Sequence, residues 1–135
     1  MIQTVMSTPI HQEIPFAATP EQVYRALTDE AEHAAFTGAP ATISPDEGGA
    51  CSWHGGYITG RNIELVPSER IVQVWRAQNW EPGVYSVICY RLQAHEGGTL
   101  VRFDQAGHPE GTNQHLEVGW HQKYWRPLEA YFAKG

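Results

Sequence analysis

The last two dozen residues, roughly 112–135, constrain this fold more than any other stretch. They hold Trp120 and Trp125 of five tryptophans, Tyr124 and Tyr131 of six tyrosines, and Phe132 of four phenylalanines. Leu116, Trp120, Tyr124, Leu128 and Tyr131 recur at steps of three and four, which places them on one helical face. His121, Trp125 and Phe132 form a flanking stripe. A helix apolar over so much of its circumference needs cover on more than one side. Bulky rings pack with gaps, so such a helix either roofs a cavity or seals a core, and spacing leaves both open. Gly119, beside Trp120, either lets the helix approach its cover closely or loosens it. Pro127 cannot donate to the carbonyl of Lys123, so a local bend is expected there.

The middle of the chain is expected to supply the cover. Thr8 to Phe16 alternates and reads as a first strand. Thr19 as N-cap, Pro20 at the first helical position and Glu21 and Gln22 in the first turn begin a short helix whose apolar face is Val23, Ala26 and Leu27. A second short helix spans about Glu30 to Phe36 and ends near Gly38. Strand-like segments follow at Thr42–Ser44, Cys51–His54, Tyr57–Val66, Ile71–Gln78, Val84–Ala94 and Thr99–Ala106, separated by turns rich in glycine and proline. Nothing in the composition marks a domain boundary, so residues 1–135 are expected to form one domain.

Strand parity predicts an inward set: Ile71, Gln73 and Trp75; Ile88, Tyr90 and Leu92; Val101, Phe103 and Gln105. Gln73 and Gln105 then sit among apolar neighbours. A buried amide left unpaired costs roughly 1–3 kcal/mol, so each must bond to the other, to backbone, to water or to a ligand.

Composition excludes several classes. The net charge of −6 and the lack of a basic run argue against a nucleic-acid partner. No segment approaches the ~18 apolar residues of a membrane span. Met1 to Thr8 lacks the features of a secretory leader, so a cytoplasmic location is expected. Cys51 and Cys89 then read as buried free thiols. There is no G-x-S-x-G elbow and no glycine loop of the phosphate-cradling kind. Of the seven histidines, His115 and His121 are six apart and fall on different sides of a helix, so neither a metal nor another cofactor is expected. His54, at the end of a strand before Gly55-Gly56, lies near a possible cavity mouth as an exposed or hydrogen-bonded strand residue, or as a ligand contact. Glu64 is expected to be an outward or strand-paired carboxylate, opposite the apolar parity of Ile63 and Leu65.

The run Gly56-Tyr57-Ile58-Thr59-Gly60-Arg61-Asn62-Ile63-Glu64-Leu65-Val66-Pro67, followed by Glu69-Arg70-Ile71-Val72-Gln73-Val74-Trp75-Arg76, resembles the centre of the family named for the activator of the heat-shock-protein-90 ATPase. So do Asn79-Trp80, Tyr85-Ser86-Val87, Gly98-Thr99, Gly119-Trp120, Tyr124-Trp125, Pro127-Leu128 and Tyr131-Phe132. The similarity runs from about Thr8 to Phe132. It implies the START-like (SRPBCC) superfamily and its α+β helix-grip fold. In that fold a curved antiparallel sheet of about six to seven strands grips a long C-terminal helix, often around a hydrophobic cavity, with two short helices after the first strand. With few residues before its first strand, the chain is expected to lack the separate N-terminal domain that makes major chaperone contacts in eukaryotic activators.

These readings together point to a non-catalytic binder of a small, mostly apolar ligand held between helix and sheet. The candidate ligand-binding residues are His54, Gln73, Trp75, Tyr90, Phe103, Gln105, Leu116, Trp120 and Tyr124, with Gln73, Gln105, Tyr90 and Tyr124 orienting the ligand. Trp120, Tyr124 and Leu128 should face the sheet, while Trp125 and Phe132 should meet its rim, the short helices or a second subunit. The alternatives are a chaperone-interacting module, for which the chaperone is the partner, and a cyclase- or hydrolase-like enzyme using His54 or a cavity carboxylate as acid–base group. A homodimer is compatible with a domain of this size.

Overall fold

Each strand in this chain pairs antiparallel with its neighbours, which gives a single seven-stranded sheet. A computed structural model describes residues 7–134. Met1–Met6 and Gly135 lie outside the described residues, and with them most of the stretch read for a leader and the last residue of the aromatic tail. The elements run β1 (Ile10–Phe16), α1 (Pro20–Thr28), α2 (Glu30–Thr37), β2 (Thr42–Ile43), β3 (Ala50–Trp53), β4 (Ile58–Val66), β5 (Arg70–Ala77), β6 (Ser86–His95) and β7 (Gly98–Ala106). The C-terminal helix follows as α3 (Asn113–Trp120), a π turn (His121–Trp125) and α4 (Arg126–Ala133). The strand order is β1-β7-β6-β5-β4-β3-β2. Only β1 is out of sequence order, and α1 and α2 carry the chain from its edge of the sheet to the other. The sheet curves around the C-terminal helix, as the helix-grip reading expected.

Local chemistry explains the elements that frame the interior. At the start of α1, Thr19 and Gln22 form a reciprocal cap: the Gln22 N–H donates to Thr19 Oγ1 at 3.1 Å and the Thr19 N–H to Gln22 Oε1 at 2.8 Å. Val23, Ala26 and Leu27 are buried, as their spacing required. The β6–β7 hairpin turns on Glu96 and Gly97, with φ of 48° and 80°, the positive pair that a tight two-residue hairpin needs. All nine residues of the predicted inward set on β5, β6 and β7 are buried.

Two expectations need correction and two are sharpened. Ile63 does not share an inner face with Leu65. A bulge between Asn62 and Glu64 shifts the register, burying Asn62 and leaving Ile63 50% exposed, while half-buried Leu65 pairs with Ile71. Cys51 and Cys89 are both free, but only Cys51 is buried; Cys89 lies on the outer parity of β6 and is half-exposed. Of the two roles open for Gly119, a close approach is not the one taken, because no described residue stands within 4 Å of where its Cβ would be. Trp125 meets the rim, one of the places expected for it, against Phe16 and Gln12 of the edge strand β1, but it is more deeply buried than a rim position implies. It is 2% exposed, packed 5.4 Å from Phe103 and 6.3 Å from Phe16, and its indole N–H donates to Gln12 Oε1 at 2.7 Å.

The π turn accounts for the depth at which Trp125 lies. Pro127 has no N–H to offer Lys123, and the ladder widens there so that the Arg126 N–H bonds to the carbonyl of His121, five residues back. Residues five apart then come to one side of the helix, and Trp120 and Trp125 stack at 5.7 Å and 23°. The expected irregularity near Pro127 therefore takes the form of a widened turn.

Candidate functional site

Trp120 divides the gripped interior. On one side lie Phe103 at 4.2 Å and Trp125 at 5.7 Å; on the other lies Trp75 at 5.7 Å. The first side is closed. Gln105 Oε1 accepts from Trp120 Nε1–H at 2.8 Å, and its Nε2 donates to Ser86 Oγ at 3.0 Å. Ser86 Oγ in turn donates to the Trp75 carbonyl at 2.9 Å. Gln73 Nε2 donates to Asn62 Oδ1 at 3.0 Å, and Asn62 Nδ2 donates to the carbonyls of Ser44 and Asp46 at 2.7 and 3.2 Å. Gln73 and Gln105 share a cross-strand row, but Ile88 stands between them, so they bond to separate partners. Tyr90 packs against Phe103 at 5.3 Å and against Trp120 and Trp125. Gln73, Tyr90, Phe103 and Gln105 thus lie in the sealed part of the interior.

The second side is a groove of about 1290 Å³ between α3, the π turn and the ends of β4 and β5. Its wall includes Ile58, Trp75, Trp80, Val84, Leu116 and Trp120, with His54, Lys123 and Tyr124 at one part of it. Five of the predicted site residues therefore meet there: His54, Trp75, Leu116, Trp120 and Tyr124. Trp75 and Trp80 meet edge to face at 5.7 Å, and Trp80 is placed by Arg76, whose guanidinium donates to the Trp80 carbonyl. Gly119 leaves a gap in the helix side of the wall.

Tyr124 also joins two histidines. His33 Nε2 is 3.1 Å and His54 Nε2 3.3 Å from its hydroxyl. His33 comes from α2, is 1% exposed, and packs against Phe36 at 4.9 Å. Burial lowers its pKa to about 3, with His54 nearby adding to the effect, so the ring is neutral at neutral pH. Burial, then Lys123, also lowers the pKa of His54. Burial raises that of Tyr124, which stays a hydroxyl. His54 has a φ of 53°, a left-handed backbone that non-glycine residues rarely adopt. Gly55 and Gly56 continue that conformation, and the Gly55 N–H is tied to the Pro40 carbonyl at 2.9 Å.

His33 and Trp80 were not among the residues singled out from sequence. His33 lies three before Phe36 on a helix, a spacing that signals a shared inward face, yet α2 alone does not reveal that Tyr124 waits there. Among the described residues, no group of three or more His, Cys, Asp or Glu side chains is arranged to hold a metal ion. No cysteine or serine lines the groove. No helix among the described residues is long and apolar enough to cross a membrane.

Comparison with known proteins adds the context. The sequence model of the family described as "Activator of Hsp90 ATPase homolog 1-like protein" matches residues 17–133. The human activator of 90 kDa heat shock protein ATPase homolog 1 is 31% identical over 120 residues, covering 89% of this chain and 36% of the human protein. A Dictyostelium discoideum homolog is 34% identical over 107 residues, covering 78% of this chain and 28% of its own length. The chain thus spans about a third of the length of such relatives. Among solved structures, an Hsp90 activator from Plasmodium falciparum superposes with a TM-score of 0.84 at 23% identity, covering 96% of this chain and 97% of the other. The Aha1 dimer from Colwellia psychrerythraea superposes with a TM-score of 0.77 at 21% identity, covering 90% and 93%. At those identities the two structures support the helix-grip fold alone.

Proposed function

Since this chain belongs to the activator of Hsp90 ATPase homolog 1-like family, we propose that it is a cytoplasmic START-like domain that binds a small, mostly apolar ligand without catalysis. One observation carries this reading. Beside a sealed aromatic core, the same sheet and helix leave a groove of about 1290 Å³ walled by Trp75, Trp80, Trp120, Leu116 and Ile58. The groove is open and larger than the roughly 300–1,000 Å³ of a typical ligand pocket, but like such pockets its wall is mostly apolar with a few polar groups. Each Å2 of apolar surface withdrawn from water contributes about 25 cal/mol before ordering costs. Orientation falls to Tyr124 and His54, which reach the groove; Gln73 and Gln105 have their bonds within the protein.

Native mass spectrometry of freshly purified protein, with thermal shifts across a panel of apolar small molecules, tests the reading. A co-purified mass or a stabilising hit is expected. No adduct and no shift across the panel overturns it. The spectrum also reports oligomeric state, and a homodimer is the form we propose by analogy with the Colwellia neighbour.

A second reading is favoured by the 31% identity to the human activator: a chaperone-interacting module that contacts an Hsp90-type chaperone through its surface. Purified chaperone with this protein should then show binding or a changed ATPase rate. Neither effect, at saturating concentration, removes that reading and leaves the ligand reading standing.

A further inference from the structure

The hydrogen-bond chain at the groove wall has a direction, and the direction selects a ligand group. Neutral His33 carries one ring proton. Its Nδ1 is buried with no hydrogen-bond partner among the described residues, while its Nε2 lies 3.1 Å from the Tyr124 hydroxyl. A proton on Nδ1 would leave a buried donor without an acceptor, whereas a proton on Nε2 leaves only a bare lone pair, the cheaper arrangement. His33 Nε2–H therefore donates to Tyr124 Oη, and the hydroxyl sends its own proton toward His54 Nε2 at 3.3 Å. A neutral His54 that accepts at Nε2 holds its proton on Nδ1. That nitrogen has no hydrogen-bond partner among the described residues, and His54 forms part of the groove wall.

Two further features point the same way. The Gly55 N–H bond to the Pro40 carbonyl ties the backbone beside His54, and the contact with the Tyr124 hydroxyl holds its ring. Lys123 lines the same groove one residue before Tyr124, close enough for its charge to act on His54. The acidic residue of the wall, Glu81, belongs instead to the β5–β6 loop beside Trp80. A fixed N–H donor beside an ammonium, bordering three indoles, is a donor set for an anion with an apolar body.

We propose that this part of the groove is a carboxylate site. The ligand is an amphipathic carboxylic acid whose apolar body lies along Trp75, Trp80 and Trp120, with its carboxylate accepting from His54 Nδ1–H and pairing with the Lys123 ammonium. His33 and Tyr124 are positioning residues that set the tautomer of His54. The assignment rests on the reading of the groove as a ligand site.

The test is a matched pair of probes, decanoate and decan-1-ol, titrated at neutral pH against the tryptophan fluorescence of the wild-type protein and of His54→Phe and Lys123→Met. Decanoate is expected to bind about tenfold more tightly than decanol. Each substitution should bring that ratio toward one by weakening decanoate more than decanol. Lys123 is exposed, so its variant reports even if His54→Phe misfolds. If decanol binds as well as decanoate in the wild type, the carboxylate assignment is overturned and the apolar groove reading survives. A wild-type preference that persists in Lys123→Met and in folded His54→Phe also overturns it. Failure of both probes overturns the assignment, and if joined by a negative apolar panel it takes the groove reading with it.

Discussion

Phe103 on β7 and Trp75 on β5 point from the same inner face toward the same Trp120, at 4.2 and 5.7 Å, yet their surroundings differ. Phe103 is fully enclosed. Trp75 is part of the wall of a groove. Both neighbourhoods are aromatic, so composition does not separate them. What differs is the helix opposite. On the Phe103 side the π turn swings Trp125 inward and Phe16 backs it. On the Trp75 side the helix offers Leu116 and Gly119, and no atom occupies the space where a Gly119 Cβ would project. A cavity here comes from which side chains the helix turns inward and which it omits. Interiors otherwise close to crystal-like density, so a persistent gap must be built into the opposing backbone.

Truncation separates the two sides most strongly. Phe103→Ala should cost roughly 3–5 kcal/mol of stability, because a cavity opens where rings enclose it on all sides. Leu116→Ala, at a wall already facing space, should cost about 2 kcal/mol or less. Chemical denaturation of both variants measures this, and equal losses would break the contrast.

Acid probes the polar seam at the groove wall. His33 has its folded pKa depressed to about 3, whereas an unfolded histidine titrates near 6.5, so the unfolded chain binds the extra proton first as pH falls. Stability should therefore drop from about pH 6.5 downward, by roughly 1.4 kcal/mol per pH unit for this one proton, until about pH 3. Exposed His11, whose pKa is raised by hydrogen bonds to Glu13 and Asp104, works in the opposite sense and weakly. Comparing melting temperatures of the wild type and His33→Gln across that range isolates the effect. Parallel curves would place the acid sensitivity elsewhere.

The Gln105 network sharpens the closed side. Gln105→Leu keeps the volume but strands the indole N–H of Trp120, and should cost roughly 1–3 kcal/mol. A neutral result would mean the indole finds water, and hence that this side is less sealed than its packing indicates. The smallest effect should have the opposite sign. Gly119→Ala places a methyl into open space on a helix and should stabilise by roughly 0.5–1 kcal/mol. Destabilisation would show that the groove side has no room there.

The strands and short helices were legible because their signals are local: alternation on β5, β6 and β7, the Thr19–Gln22 cap, and glycine-rich turns. The closed half of the interior was legible as burial but not as bonding. Gln73 and Gln105 were recognisable as buried amides needing partners, but whether those were ligand or protein depended on Asn62, Ser86 and Trp120, residues 11, 19 and 15 positions away. Parity failed at Ile63 because a bulge adds one residue to one strand and reverses every side chain beyond it. Helical spacing put Trp125 on a flanking stripe but missed its depth of burial for a related reason, since a widened turn changes the period on which the wheel is drawn.

By itself, the sequence determined that an aromatic helix needed a large curved cover, which residues of β5, β6 and β7 would face it, and which family the chain resembles. The need for cover and the inward residues follow from periodicity and local turn chemistry, which act over a few residues; the curvature and the family come from the resemblance of motifs spread from about Thr8 to Phe132. Only the tertiary structure decided that the grip is sealed on one side and open on the other, and that His33, 91 residues from Tyr124, meets it and His54 at one hydroxyl. Those outcomes depend on how the helix is rotated and where the chain brings distant polar atoms within bonding distance, and neither quantity has a local period to read.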